Sequence, residues 1–206
     1  KKSGPNDEII LIIVSGGCEK QDDDDADDDA DDENGHHAST EILDLASMTW
    51  RTGPTMLQQR SGCAAVALSK NVLIVVGGQN GRAYWNSTEI LDVSMVFHKG
   101  PGMLSPRTGC CALLLDNASR RVIVIGGEAD ACDDPDGYCG DEEDGYEALN
   151  STEILDWRKM QFAPGPAMRS PRAGFAALPF IDTLHEQILV LDNTGAGAGH
   201  GLGWGW

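Results

Sequence analysis

The sequence contains no apolar run approaching the roughly 18 residues that a membrane-crossing helix needs, so no segment of it reads as a helical span. Positive charge is scarce: 15 Lys and Arg stand against 33 Asp and Glu, a formal net charge of −18. Phosphate backbones are held by Lys and Arg, so this balance argues against nucleic acid and favours cations or a basic partner. There is no Cys-x-x-Cys pair and no histidine cluster, which leaves no zinc pattern; His36-His37 stand alone beside an acidic run. Hydrolase signatures such as Gly-x-Ser-x-Gly are missing. No stretch has the 3.6-residue apolar period of an amphipathic helix. The first residue is Lys1 and no apolar leader follows it, which reads as a processed or truncated chain.

What the sequence does contain is repetition. The hexapeptide Ser-Thr-Glu-Ile-Leu-Asp occurs at Ser39–Asp44, Ser87–Asp92 and Ser151–Asp156. Repetition at this scale dictates architecture before any other feature does. A β-branched run ending in Gly-Gly precedes each copy: Ile9 to Gly17, Val72 to Gly78 and Val122 to Gly127. An aromatic follows each copy (Trp50, Phe97, Phe162), then Gly-Pro at Gly53, Gly100 and Gly165. After that comes an arginine, Arg60, Arg107 or Arg172, leading into a run of small residues. Trp50 to Phe97 and Arg60 to Arg107 both span 47 residues; the next interval is 65 in both cases. The period is therefore near 47, with extra residues inside one unit.

Each unit reads as four short strands. The first is the small-residue run (Ala64 to Leu68, Cys111 to Leu115, Phe175 to Leu178), and the second is the β-branched run. The third is Thr-Glu-Ile-Leu-Asp, with alternating character, and the fourth carries the aromatic. Short β-rich runs punctuated by Gly and Pro predict an all-β fold.

The order of arginine, small strand, apolar strand, Gly-Gly, Glu-x-x-Asp strand, aromatic and Gly-Pro resembles the kelch repeat across roughly residues 9–192. Two features depart from that pattern. Leu43, Leu91 and Leu155 stand where the motif has tyrosine, and the last unit, Ile188 to Asn193, lacks its glycine pair. The resemblance implies a β-propeller in which each repeat is a four-stranded blade. Entering at a second strand and leaving after one, the chain holds 3+4+4+2 strands, so about three to four blades are expected, a partial propeller or one completed by other chains. The expected organisation is a propeller region over 1–192, with acidic insertions at 19–38 and 128–149, and a Gly-rich tail over 193–206. That tail reads as a flexible linker, or as a docking arm using Trp204 and Trp206.

Charge is concentrated in the insertions. Residues 19–33 hold 11 acids and residues 128–147 hold 10, leaving the remainder nearly neutral with 12 acids and 14 bases. In an up-and-down blade the loops between second and third strands emerge on one face, so both insertions share a face with the short Gln79 to Asn86 loop. On the resemblance, that face commonly binds partners, and function concentrates on loops held by a rigid scaffold. The first insertion is a run of Asp that stays solvated through its own repulsion. The second holds Asp-x-Asp-Gly, in which alternate carboxylates converge on one cation; Asp134, Asp136 and Asp141 are the candidate calcium ligands. No other cofactor is expected.

Six cysteines permit up to three disulfides. Cys132 with Cys139 would close the second acidic loop, and Cys18 with Cys63 would staple neighbouring blades. Buried thiols are the alternative. Asn86, Asn117 and Asn150 each begin an Asn-x-Ser/Thr acceptor, two of them at the same place in the repeat. Together these predict a secreted, glycosylated protein. Arg60, Arg107 and Arg172 recur in every unit, as a structural hydrogen-bonding role between blades predicts, and Trp50, Phe97 and Phe162 read as packing between blades.

The expected function is that of a non-enzymatic extracellular structural or protein-interaction module, self-assembling through open blade edges. The first alternative is a cytoplasmic kelch adaptor binding a protein partner on its loop face. The second is a piece of a copper oxidase resembling galactose oxidase. That activity needs Tyr, Cys and His ligands near the axis, whereas Tyr84, Tyr138 and Tyr146 all fall in loops.

Overall fold

A computed structural model describes residues 11–15, 37–116, 120–129, 146–181 and 186–191. Over these residues the chain is all-β: fifteen strands, every pairing antiparallel, and no helix. The first sheet holds β1 (Leu11–Ser15), β2 (Thr40–Asp44) and β3 (Thr49–Thr52). The second holds β4 (Ala64–Ser69), β5 (Val72–Val76), β6 (Thr88–Leu91) and β7 (Phe97–Lys99), in chain order. The third begins with β8 (Cys111–Asp116) and β9 (Arg121–Ile125). A two-residue ladder, β10 (Glu128–Ala129) against β11 (Glu147–Ala148), stands apart before the third sheet resumes with β12 (Thr152–Asp156) and β13 (Gln161–Pro164). The fourth sheet is the hairpin β14 (Ala176–Ile181) and β15 (Glu186–Leu191). Among the described residues the sheets close into neither a barrel nor a ring.

The sequence pattern of each strand follows from how many of its faces are covered. In β5 and β9, Ile74 to Val76 and Val122 to Val124 are buried on both faces, so these strands read as unbroken β-branched runs. Such residues fit a pleated surface buried on both sides, and each fully buried one contributes about 1.5–3 kcal/mol. The third strand alternates. Ile90 and Ile154 point to one face, Leu91 and Leu155 to the other.

The turn after each third strand is built by the last letter of the hexapeptide. Asp44 Oδ1 accepts from the Ala46 and Ser47 amides (2.8 and 3.2 Å), and Asp156 Oδ1 from Arg158 and Lys159 (3.0 and 3.2 Å). Asp92 Oδ1 accepts from the Ser94 amide at 2.8 Å. Each turn ends on a methionine in the left-handed region: Met48, Met95 and Met160, with φ of 53°, 56° and 52°. An aspartate side chain that mimics a backbone acceptor is the ordinary way to hold such a turn.

The second, third and fourth sheets stack face to face in chain order. Leu68, Ile74 and Val76 of the second sheet meet Val122, Val124, Leu155 and Phe162 of the third. The other face of the third sheet, with Ile123 and Ile125, meets Ala177, Ile188 and Val190 of the fourth. Met103 fills the seam between the second and third sheets, and Met56 packs on the outer face of the second beside Phe97. Both stand in a Gly-Pro-x-Met that recurs in every unit. First strands lie side by side, tied by a ladder in which Gly109 N–H donates to Gly62 O (2.8 Å) and Gly174 N–H donates to Gly109 O (2.9 Å).

Near the bounds of the acidic insertion expected over 128–149, Glu128 and Ala129 of β10 pair with Ala148 and Glu147 of β11. One expectation from sequence differs from what is observed: the three aromatics do not share one environment. Phe97 and Phe162 are buried in seams, but Trp50, on the edge strand of the first sheet, is half exposed. No described sheet covers that face.

Candidate functional site

The repeated hexapeptide builds the support for the loop face. Its glutamate is buried in two copies, Glu89 and Glu153, each 2% exposed. Glu89 accepts from Arg60 Nε at 3.0 Å and from the amides of Leu57 and Gln58 at 2.6 and 3.1 Å. Arg60 also donates to Gly77 O (2.6 Å), Ser87 O (3.1 Å), Ser87 Oγ (2.7 Å) and Gln58 Oε1 (2.9 Å). The third sheet repeats the arrangement. Arg107 donates to Glu153 and Ser151 Oγ, both at 3.0 Å, and to Gly126 O at 2.9 Å, while Glu153 accepts from Leu104 and Ser105. A buried charge without such partners costs several kcal/mol, so the full set of donors is what permits burial.

The substitution of Ser105 for Gln58 shows in the geometry. Arg107 reaches Glu153 through Nη2 rather than Nε, and its Nε is buried with no partner. Serine is too short to provide the carbonyl that Gln58 extends to Arg60. The backbone of the same arginine joins two sheets, since Gly78 N–H donates to Arg107 O at 2.8 Å. Gly127 N–H donates to Arg172 O in the same way, also at 2.8 Å. The threonine of the hexapeptide is likewise used up. Thr40, Thr88 and Thr152 donate to the carbonyls of Pro54, Pro101 and Pro166 at 2.6, 2.8 and 2.9 Å.

Above this support lie the connections from second to third strands. In the second sheet the loop closes within six residues. Gln79 bridges Ser61 on one side and Tyr84 on the other, and Asn80 Oδ1 accepts from the amides of Arg82 and Ala83. In the third sheet Glu128 occupies the place of Gln79, bridging Thr108, and the chain then departs through β10 and returns through β11. Burial raises the Glu128 carboxyl above the usual carboxylate range. The two loops meet where the rings of Tyr84 and Tyr146 lie 5.7 Å apart, tilted by 45°. Tyr146, directly after the acidic insertion, is 68% exposed.

Asn86 and Asn150 are exposed at equivalent places on this face. Their carbonyls accept from Met103 and Met168 N–H at 2.8 and 2.7 Å, which sets the backbone of both alike. The threonine that completes each acceptor sequence is buried, so a sugar would have to be added before the sheet forms. Among the described residues no group of three or more His, Cys, Asp or Glu side chains is placed to hold a metal. Asp134, Asp136, Asp141, Asn117, Cys18, Cys132 and Cys139 lie outside the described residues.

Cys110 and Cys111 are thiols. Cys110 is buried, and desolvation of its thiolate pushes the group up to about 12 from an ordinary value of 9.0. The unfolded thiol ionises near 9 and the folded one only near 12. Its stabilising contribution is therefore complete below pH 9 and lost as pH rises through that window, at up to about 1.4 kcal/mol per pH unit. Urea midpoints measured from pH 8 to 11 are expected to fall less steeply for Cys110→Ala than for the wild type. Parallel curves would show that the thiol ionises over the same pH range in both states, so that burial does not hold its proton.

Sequence reading singled out the arginines and aromatics but treated the hexapeptide as a strand marker. It missed Glu89, Glu153, Thr88, Thr152, Ser87 and Ser151 as the residues that hold the arginines and the Gly-Pro turns. The signal was there: polar letters preserved three times within one chain. A scan of the sequence against protein-family models finds no match, and a search of curated proteins finds no relative.

Proposed function

We propose that the chain is a non-enzymatic extracellular module of kelch-type propeller architecture, glycosylated and serving structural or protein-binding purposes through its loop face. The observation that carries this reading is one of address. The points at which the acidic segment leaves and rejoins the third sheet, Glu128–Ala129 and Glu147–Ala148, stand with Tyr84, Tyr146, Asn86 and Asn150 on the same side of the stack. The propeller part draws support from four-strand units repeating in chain order and from first strands tied by the Gly62, Gly109 and Gly174 ladder. The non-enzymatic part draws support from the buried network. Arg60, Arg107, Glu89 and Glu153 are charged and repeated, and their hydrogen bonds go to one another and to backbone, hydroxyl and amide groups of the scaffold. In this reading the acidic insertions meet calcium, through Asp134, Asp136 and Asp141, or a basic protein surface.

Intact mass of protein secreted from eukaryotic cells, before and after enzymatic removal of N-glycans, tests the reading. The expected result is a loss corresponding to glycans at Asn86 and Asn150, with one step removed by Asn86→Gln and the other by Asn150→Gln. A mass unchanged by the treatment overturns the secreted reading. A cytoplasmic adaptor is then favoured.

A further inference from the structure

The two ends of the sheet stack each carry an apolar cross-strand pair of the kind that is buried inside it. Inside the stack, each seam joins the forward face of one sheet to the back face of the next. On back faces the third and fourth strands place a leucine opposite an aromatic, Leu91 with Phe97 and Leu155 with Phe162. All four side chains are no more than 3% exposed. The first sheet has the same cross-strand pair, Leu43 opposite Trp50. Nothing described lies over it, and Trp50 is 51% exposed.

The opposite end mirrors this. On forward faces the first and second strands pair Val66 with Ile74 and Leu113 with Ile123. Ile74 and Ile123 are 0% and 6% exposed. In the fourth sheet the same positions are Leu178 and Leu189, opposite each other and 53% and 46% exposed, with Leu191 beside them at 45%. Among the described residues the stack thus presents an uncovered back face at one end and an uncovered forward face at the other. Two sheets stand between them and the faces point apart, so they cannot cover each other within one stack.

We propose that the occupant of each end is the opposite end of a second copy of this chain. The fourth-sheet face of one copy, Leu178, Leu189 and Leu191, docks on the Leu43 and Trp50 face of the next, continuing the seam that already joins sheets two to three and three to four. Such an interface is heterologous. It closes into a ring if the rotation per copy allows and otherwise extends as a filament. Exposed Glu41, at the loop-face end of the same back face, stands where Glu89 and Glu153 accept scaffold donors, so it is an acceptor at the rim of the contact. Face docking differs from pairing through strand edges, and it depends on neither glycosylation nor secretion.

The test uses the whole 206-residue chain made without glycans, so that failure of the secreted reading leaves this one untouched. Sedimentation velocity over a concentration series is expected to show masses rising in multiples of the monomer. Trp50→Glu and Leu189→Glu each remove one end, and each variant alone is expected to remain monomeric, with association weakened at least about 30-fold. The equimolar mixture retains one intact back face and one intact forward face, and is expected to form a 1:1 dimer that grows no further. Circular dichroism verifies that both variants keep the β signal, and Leu178→Glu replaces Leu189→Glu if that variant does not. A wild type that is monomeric at every concentration, assembly that survives both substitutions, or a mixture that stays monomeric overturns the proposal.

Discussion

Arg60→Ala is expected to lower the unfolding free energy by about 3–5 kcal/mol. The guanidinium donates five hydrogen bonds in a site where Arg60 is fully buried. Its removal leaves Glu89 charged and 2% exposed, with only the Leu57 and Gln58 amides to hold it. Glu89→Gln is expected to cost less, because a neutral amide tolerates burial and keeps an acceptor for the arginine. The double change Arg60→Met with Glu89→Leu is expected to recover part of the loss, since it removes both desolvated charges at once. Urea unfolding followed by tryptophan fluorescence measures all three. If Arg60→Ala costs under 1 kcal/mol, the ion pair is not what positions the segment from Leu57 to Arg60.

Gly77→Ala is expected to destabilise by about 3 kcal/mol or more, through two costs that add at one atom. The residue has φ of +66°, a conformation that costs an L side chain about 1–2 kcal/mol. A Cβ there would also collide with the Arg107 carbonyl oxygen, backbone that belongs to the entry of the next sheet. Forcing such an overlap typically costs about another 1–3 kcal/mol. Gly102→Ala is the control. Its nearest neighbour is the Asn86 carbonyl oxygen at 4.0 Å, and its φ is not in the left-handed region, so the expected change is within about 0.5 kcal/mol. Equal midpoints for the two variants would sink the argument that Gly-Gly exists to let the next sheet's backbone approach.

Both predictions rest on letters that are visible in the sequence and on contacts that are not. Four strands per unit, their order, and the positions of the turns were legible, because alternation in Thr-Glu-Ile-Leu-Asp and unbroken β-branched runs report how many faces a strand has covered. The small-residue strands begin at Ala64, Cys111 and Ala176, one residue later than expected in the last unit, and that last strand runs on to Ile181, three residues past Leu178. The candidate site was legible as an address. Loops between second and third strands were placed together by counting strands, and the described loops do share a side of the stack. Their details were not legible. Tyr84 and Tyr146 are 62 positions apart in the chain, and nothing in local pattern announces a 5.7 Å ring contact.

The treatment of Trp50 shows why repetition alone misleads. Equivalent letters predict equivalent roles, yet Phe97 and Phe162 are buried in apolar clusters and Trp50 has no such cover among the described residues. Burial is a property of neighbours, and the repeat specifies a neighbour only for interior units.

By itself the sequence determined the all-β class, the repeating unit, its period and the concentration of acid into two insertions, because strand propensity, alternation and turn chemistry are local. The tertiary structure alone decided what the polar letters of the hexapeptide do. Ser87 and Glu89 find Arg60 some 27 and 29 residues away, and Thr88 finds the Pro101 carbonyl 13 residues on. It decided as well which apolar faces remain uncovered at the ends of the stack. Hydrogen-bond partners and covered faces arise only when sheets pack, and packing joins residues that no window of sequence holds together.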